Sequence, residues 1–314
     1  MSGFFTSTTA MRIYSVSGSV GEFGDRLTNA AFRSQPKEVD PQEKIIGFVG
    51  LGDALDTDFQ FDIQHENYIT LSLRIDERKP SMPAVRIRFA EALKKEAENN
   101  GKVSRERKKE LKEDALFAVL MKSDYVPTLV DIIYDTEKQR LVLSTASEAQ
   151  AALATELFSR VFGVTLEAIT ASEDIKDVFR TIYMGEKSVA VELEDGSGAL
   201  LLSDDFTVTL QTQESSDERA SVSARGNQEA GLKALEEGLY IRRMGINAEV
   251  RDPEEQSDDP KATCQFMLDE SLIVTGLKMP KQERGSARED DFFLKAGHAF
   301  LVAEIVEKMG AISV

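Results

Sequence analysis

A strongly basic stretch, Arg86–Lys112, stands in a chain that is otherwise acidic. The stretch holds ten basic and five acidic residues, a local net charge of +5, whereas the whole chain of 314 residues carries −17. A fold alone does not require this asymmetry, so the stretch is the first place to look for a polyanionic partner. Helices rich in Lys, Arg and Glu are more often solvated surfaces with ion pairs, however, and the charge run alone favours that interpretation.

The sequence around this stretch predicts two antiparallel helices joined by a short turn. Pro80 and Pro83 suit the start of the first helix, and Asn99-Asn100-Gly101 ends it. Ser104 is placed to cap the second helix. The most basic part, residues 101–109, is then the tip of a projecting hairpin. A tip has little core to cover, and this placement strengthens the binding interpretation.

The remaining segments alternate between short strands and amphipathic helices. Strands flank a turn at residues 135–139, and Thr145-Ala146-Ser147-Glu148 matches a capping box before a helix that Gly163 ends. Polar residues 214–225 and acidic residues 252–259 are predicted loops. The fold class is therefore α+β, with mixed or antiparallel sheets, packed helices and a projecting basic αα-hairpin. The predicted regions are an N-terminal α/β region (1–78), the helical hairpin (79–122), a β-hairpin and helix completing the N-terminal domain (123–170), and a C-terminal α+β domain (171–314).

Composition excludes several classes of protein. The chain is 41% apolar and 30% charged, as in globular proteins, and contains no apolar run long enough to cross a membrane. Cys264 is the single cysteine, which rules out an internal disulfide, and His65 and His298 lie far apart. These features favour the cytoplasm, with no membrane partner.

Catalytic signals are weak. The glycines at 50 and 52 lack the Lys-Ser/Thr of a P-loop, and no serine lies in a nucleophile elbow. The densest carboxylates, Asp53 with Asp56 and Asp58 and the pair Asp204 and Asp205, fall in predicted loops. A solvated loop is the better interpretation of each group. The residues therefore predict no catalytic site, no metal site, no cofactor and no enzyme.

The assembled pattern resembles the RdgC family of recombination-associated proteins. The resemblance is most specific from Tyr68 to Phe162, and weaker at the N-terminal strand and helix and at residues 235–246. It rests on Asp-Glu-Arg-Lys-Pro-Ser-Met-Pro-Ala-Val (76–85), on the lysine-rich turn Gly-Lys-Val-Ser-Arg-Glu-Arg-Lys (101–108) and on the β-hairpin and helix that follow.

Membership implies a homodimeric ring that encircles duplex DNA without sequence preference and restrains RecA-dependent recombination through the DNA. The partners would be duplex DNA, a second copy and, indirectly, a RecA-type recombinase, and the protein would be associated with the nucleoid. An acidic exterior can coexist with a basic inner wall in such a ring. The candidate phosphate-binding residues are Lys94, Lys95, Lys102, Arg105, Arg107, Lys108, Lys109, Lys112, Arg242 and Arg243.

The sequence departs from the family pattern at two places. The family's apolar-Leu-Pro-Arg-Ala-Phe run after the second helix is replaced by Leu120-Met121-Lys122-Ser123-Asp124-Tyr125. Its early Gly-Trp-Val-Pro-Pro appears as Gly47-Phe48-Val49-Gly50, and the chain has no tryptophan. If the aromatic run closes the ring in the family, this chain lacks that means of closure.

Two other functions remain open. The first is a metal-dependent DNA exonuclease, an activity sometimes attributed to the family. The second is a protein-interaction module whose basic hairpin binds an acidic partner, such as the second subunit.

Overall fold

The structure is a computed structural model that describes residues 3–4, 6–33, 44–59, 63–172, 175–184, 201–202, 207–212, 221–225, 228–250, 262–281 and 288–311. Its elements, in chain order, are β1 (Thr8–Ser17), α1 (Gly24–Ala30), β2 (Ile45–Val49), β3 (Gln64–His65), β4 (Tyr68–Arg78), α2 (Met82–Asn100), α3 (Arg105–Leu120), β5 (Tyr125–Asp135), β6 (Arg140–Leu143), α4 (Glu148–Phe162), β7 (Thr165–Ala168), α5 (Ile175–Met184), β8 (Leu201–Leu202), β9 (Thr207–Gln211), β10 (Ser221–Arg225), α6 (Gln228–Glu236), β11 (Tyr240–Val250), β12 (Ala262–Asp269), β13 (Val274–Lys278) and α7 (Arg288–Gly310).

The described strands form one large antiparallel sheet, which confirms the predicted α+β class. The strand order is β10-β9-β11-β12-β13-β1-β6-β5-β4-β2, with β3 on β4, β7 on β1 and β8 on β11. Strand β1 joins the two halves, because Thr8 and Thr9 pair with β13 while Arg12 to Ser15 pair with β6. The N-terminal half thus contains β1–β7, and the C-terminal half β8–β13. The predicted division into four regions stays a prediction.

The two halves repeat one order of elements. Strands β4, β5, β6 and helix α4 in the first half correspond to β11, β12, β13 and α7 in the second. An aspartate ends the middle strand of each: Asp135 Oδ1 accepts from the Lys138 amide at 2.9 Å, and Asp269 Oδ1 accepts from the Ile273 amide at 2.9 Å. In the N-terminal half, helices α2 and α3 lie in the connection between β4 and β5.

Two local predictions need correction. Helix α4 starts after Ser147, whose hydroxyl accepts from the Gln150 amide, whereas Thr145 bonds the Gln150 side chain at 2.6 Å. The cap therefore lies two residues later than predicted, although Gly163 ends the helix in the left-handed region as expected. The predicted polar loop 214–225 ends in strand β10, because pairing with β9 lets Ala224 reach the core. The predicted acidic loop 252–259 lies outside the described residues.

The C-terminal helix α7 packs across both halves of the sheet. From residue 299 to residue 306 every side chain except that of Leu301 is buried. One buried cluster joins α7 to Ile133 and Val142 of the N-terminal half and to Met244 and Phe266 of the C-terminal half. The aromatic ring of Phe300 stacks on Tyr68, with centroids 5.5 Å apart. Because α7 packs against both halves, its apolar residues cover most of its circumference rather than one stripe.

Charged residues inside α7 are paired. Lys295, which is buried, donates to Asp291 Oδ2 at 2.8 Å within the helix. Buried Glu304 lies 3.8 Å from the Lys138 ammonium, and Glu307 contacts the Arg140 guanidinium. These last two pairs connect α7 to the β5–β6 hairpin. A charge in such surroundings is tolerated only with a partner.

A second buried polar group ties the N-terminal segment to the sheet. The Asp131 carboxylate accepts from the Phe4 amide at 2.9 Å and from the Ser72 hydroxyl at 2.6 Å. The Ser72 hydroxyl in turn accepts from the Gly52 amide at 2.9 Å. Burial raises the pKa of Asp131 although both hydrogen bonds oppose the shift.

None of the helices in the described ranges has the length and apolarity needed to cross a membrane.

Phe300→Ala should lower the free energy of unfolding by about 3–5 kcal/mol, because it opens a cavity where α7 meets the sheet. The control is Leu294→Ala on the same helix, which removes a side chain that is 46% exposed. That change should stay within about 1 kcal/mol of the parent. Denaturant titration measures both, and equal effects for the two variants would contradict the packing of Phe300 against the sheet.

Asp131→Asn should change how stability depends on pH. A carboxyl whose pKa is raised on folding binds its proton more tightly in the folded state than in the unfolded state. Its stabilisation is therefore complete below the unfolded pKa of about 3.9 and is lost as pH rises towards the folded pKa. Relative to the Asp131→Asn variant, the parent should lose unfolding free energy over that window. Parallel stability curves would show that Asp131 titrates normally.

Candidate nucleic-acid interface

Local sequence signals explain where the two helices of the basic stretch begin and end. Ser81 precedes α2 with a proline in the first turn, and Gly101 ends α2 with φ of 74°. The Ser104 hydroxyl accepts from the Arg107 amide at 3.2 Å and caps α3. Pro at a helix start and Gly at a positive φ are the residues that these positions favour.

Helices α2 and α3 bury little of their surface. Their main contacts are with each other, and the side chains that are fully buried are Val85, Leu111, Ala115 and Leu120. We call α2, α3 and the connecting residues 101–104 the helical pair. Most of its charged side chains are open to solvent, so they can bind a large partner while the core packing stays intact.

All eight predicted basic residues of the helical pair lie at least partly open to solvent. Lys94 and Lys95 lie on α2, Lys102 lies in the connection, and five lie on α3. At about 100° per residue, Arg105, Lys109 and Lys112 fall within about 60° of one another around α3, and Lys108 borders them. We call these four residues the basic row. Of the four, Lys109 lies 3.8 Å from Glu113, and both side chains are exposed.

The acidic residues of α3 occupy another side of the helix. By the same angular spacing, Glu106, Glu110, Glu113 and Asp114 cluster away from the basic row. A helix that is solvated on all sides does not require its acidic and basic side chains to lie on separate sides. It leaves one side of α3 positive over about two turns.

Arg107 differs from the other basic residues because it is paired. Its guanidinium donates to Glu110 at 2.8 Å and to Glu96 of α2 at 3.3 Å, and these carboxylates raise the Arg107 pKa. The Glu96 pKa is lowered, first by the hydrogen bond from Asn100 and then by Arg107. Arg107 thus joins the tips of α2 and α3, and its charge is largely compensated.

Arg242 and Arg243 lie far from the helical pair in the order of the sheet. They belong to β11, and β12, β13, β1 and β6 separate that strand from β5. The Arg242 guanidinium donates to Gln211 at 3.1 Å and lies 3.9 Å from Glu270. The structure therefore assembles the predicted basic residues into two separate regions rather than one.

Sequence reasoning missed a polar surface next to Arg243. On β9, β10, β12 and β13, small polar side chains alternate with buried apolar ones. The alternation is visible in Thr-Val-Thr-Leu-Gln (207–211) and Ser-Val-Ser-Ala-Arg (221–225). It identifies each strand, but only the pairing of the strands shows that the polar positions share a face.

The single cysteine and one histidine meet beneath α7. The Cys264 sulfur lies 4.0 Å from His298 Nδ1, and His298 Nε2 lies 3.1 Å from the Lys278 carbonyl oxygen, to which it donates. Burial raises the pKa of Cys264 to about 11 and lowers that of His298. Both groups are therefore neutral near pH 7, unlike the thiolate–imidazolium pair of a cysteine nucleophile.

The predicted acidic groups serve the backbone or fall outside the described ranges. Asp53 accepts from the Leu55 amide at 2.9 Å and so shapes its turn. Asp204 and Asp205 are not among the described residues. Within the ranges that are described, no three His, Cys, Asp or Glu side chains gather as metal ligands.

Comparison with known proteins identifies the family of the chain. No curated protein matches it. A family model described as "Putative exonuclease, RdgC" matches residues 4–195, which span the N-terminal half of the sheet and the whole helical pair. The match covers more than half of the sequence and excludes Arg242 and Arg243. The chain therefore belongs to the RdgC family.

Proposed function

We propose that this protein binds duplex DNA through its backbone phosphates, without sequence preference, and that the helical pair makes the main contact. The observation that carries the proposal is the basic row on α3. Four cations lie on one side of an exposed helix in a chain with a net charge of −17. A DNA backbone is the common cellular partner whose charge density matches such a row.

Phosphates are the expected contacts because of the chemistry of the row. Lysine is a flexible point charge that places an ammonium near an anion without defining its orientation. Sequence-specific readout needs side chains fixed against base edges in a groove. The helical pair offers three lysines and one arginine in the row, which favours positioning on the backbone over base recognition.

We further propose that two copies form a ring around the duplex. Large apolar side chains are exposed on the helical pair and where it joins the sheet: Met82, Ile87, Phe117, Met121 and Val126. Exposed apolar groups of this kind mark protein contacts. A second copy covering them would leave the basic tips available for DNA and the acidic remainder of each subunit outside.

Restraint of recombination follows from occupancy of the DNA. A duplex that is encircled by this protein is less accessible to a RecA-type recombinase, without direct contact between the two proteins. Association with the nucleoid would be a consequence of the same binding.

Lys108→Glu combined with Lys109→Glu should weaken duplex binding strongly and to the same extent for two unrelated sequences. The salt dependence should also become shallower, by about 0.9 in the slope of log K against log salt for each phosphate that is no longer neutralised. Fluorescence anisotropy with labelled duplexes of equal length measures both.

The control is Arg180→Glu combined with Lys233→Glu, which removes the same charge from exposed positions on α5 and α6. It should leave affinity close to that of the parent. If both double variants weaken binding equally, net charge rather than the basic row governs the interaction.

The description of the matching family makes DNA exonuclease activity a second candidate. We expect no degradation of an end-labelled duplex at high protein concentration with Mg²⁺ or Mn²⁺. Metal-dependent products that persist through purification to homogeneity would replace the ring proposal with a nuclease function.

A further inference from the structure

The apolar contact between α2 and α3 ends well before the tip of the helical pair. On α3 the buried residue closest to the tip is Leu111, and on α2 it is Val85, near the start of the helix. None of residues 94–110, all of which the structure describes, is buried, and all except Glu96 and Val103 are exposed. Apolar packing therefore does little to hold the ends of the two helices together.

A polar network continues the contact where the apolar packing ends. The Arg107 guanidinium donates to Glu96 of α2 at 3.3 Å and to Glu110 at 2.8 Å. The Asn100 side chain donates to the other Glu96 oxygen at 2.8 Å. Because Arg107 lies four residues before Leu111, it extends the buried side of α3 towards the tip. We call Glu96, Asn100, Arg107 and Glu110 the tip network.

The tip network differs from an isolated surface ion pair. A single exposed pair contributes little to stability, since water and salt screen it, but several charges that act together can contribute more. The Glu96 side chain is only 20% exposed, and Arg107 bridges it to a second carboxylate. The Ser104 hydroxyl also fixes the Arg107 backbone, by accepting from its amide at 3.2 Å. A planar guanidinium can hold two carboxylates in fixed directions, which a lysine ammonium cannot.

The basic row lies mostly on the part of α3 that the tip network supports. Arg105, Lys108 and Lys109 all precede Leu111, the first buried residue of that helix. Their placement relative to α2 is therefore set largely by the contact that Arg107 makes across the pair. A guanidinium that is already bonded to two carboxylates is also less available to a phosphate than the cations of the basic row.

We propose that Arg107 is a positioning residue, which with Glu96 locks the tips of α2 and α3 together so that the basic row meets DNA in one orientation. In this role Arg107 does not itself bind phosphate. The proposal rests on the proposed function and deepens it. A preorganised binding surface loses less conformational freedom when its partner binds, and its affinity is higher for that reason.

Arg107→Lys tests the lock in the full-length protein. Lysine keeps the charge and can replace arginine as a phosphate contact, but it cannot bridge two carboxylates in the same way. Fluorescence anisotropy should show Kd raised about two- to fivefold, equally for two unrelated duplexes. The control is Arg180→Lys at an exposed position of α5, which should bind like the parent. An unchanged Kd for Arg107→Lys is what a simple phosphate contact predicts, and it would overturn the proposal.

Glu96→Ala compared with Glu98→Ala gives a second, independent test. Both changes remove one negative charge from α2, and alanine favours a helix at either position. Charge alone predicts that the two variants bind DNA equally well, and more tightly than the parent. The lock predicts instead that Kd is about two- to fivefold higher for Glu96→Ala than for Glu98→Ala. Equal affinities of the two variants would overturn the proposal.

A third measurement does not depend on DNA. Without DNA, the backbone amides of residues 94–110 should exchange their hydrogens faster in Arg107→Lys and in Glu96→Ala than in Glu98→Ala, because the tips separate more often. Equal exchange in the three variants would show that the tip network does not hold the helices together, and the proposal would fail.

The outcomes separate failure of the lock from failure of the proposed function. If Lys108→Glu with Lys109→Glu weakens binding while Arg107→Lys and Glu96→Ala behave like their controls, the lock is overturned and the proposed function stands. A parent protein that ignores both duplexes removes the proposed function, and with it the role of Arg107 towards DNA, whatever the exchange measurement shows.

Discussion

The fold depends on packing helix α7 across both halves of one sheet. A helix in that position must be apolar around most of its circumference, and any charge it carries needs a partner. Lys295 satisfies this within the helix by pairing with Asp291. Glu304 and Glu307 satisfy it through Lys138 and Arg140 of the β5–β6 hairpin. The C-terminal helix is thus tied by charge to the N-terminal half as well as packed against it.

This arrangement decides which of the described surfaces stay exposed. Helices α5, α6 and α7 share a core with the inward side of the C-terminal half, whose outward side chains are mostly exposed or half-buried among the described residues. In the N-terminal half the helical pair is inserted between β4 and β5 and buries few residues of its own. The basic row therefore lies on a part of the molecule that contributes few residues to the core. Elsewhere the acidic character of the chain, with a net charge of −17, would repel a polyanion.

Features set by local sequence could be predicted, and features set by distant pairing could not. Pro83, Gly101 and Ser104 define the helical pair through backbone preferences and a cap, so its bounds follow closely from the sequence. The pairing of Thr8 with Lys278 spans nearly the whole chain, and no local pattern indicates it. The polar side of β9, β10, β12 and β13 has the same origin, because its positions share a face only once the strand register is set. Within the candidate site, the ion pair between Arg107 and Glu96 could not be predicted for the same reason, because Glu96 lies on the neighbouring helix.

The most direct test of the central claim is the affinity of the parent protein for two unrelated duplexes of equal length, measured across a range of salt concentrations. The account predicts equal affinities that fall steeply and in parallel as salt increases, because phosphates carry the binding. Affinities that differ strongly between the two sequences would contradict backbone recognition. Absence of binding at low salt would show that the basic row serves a different partner.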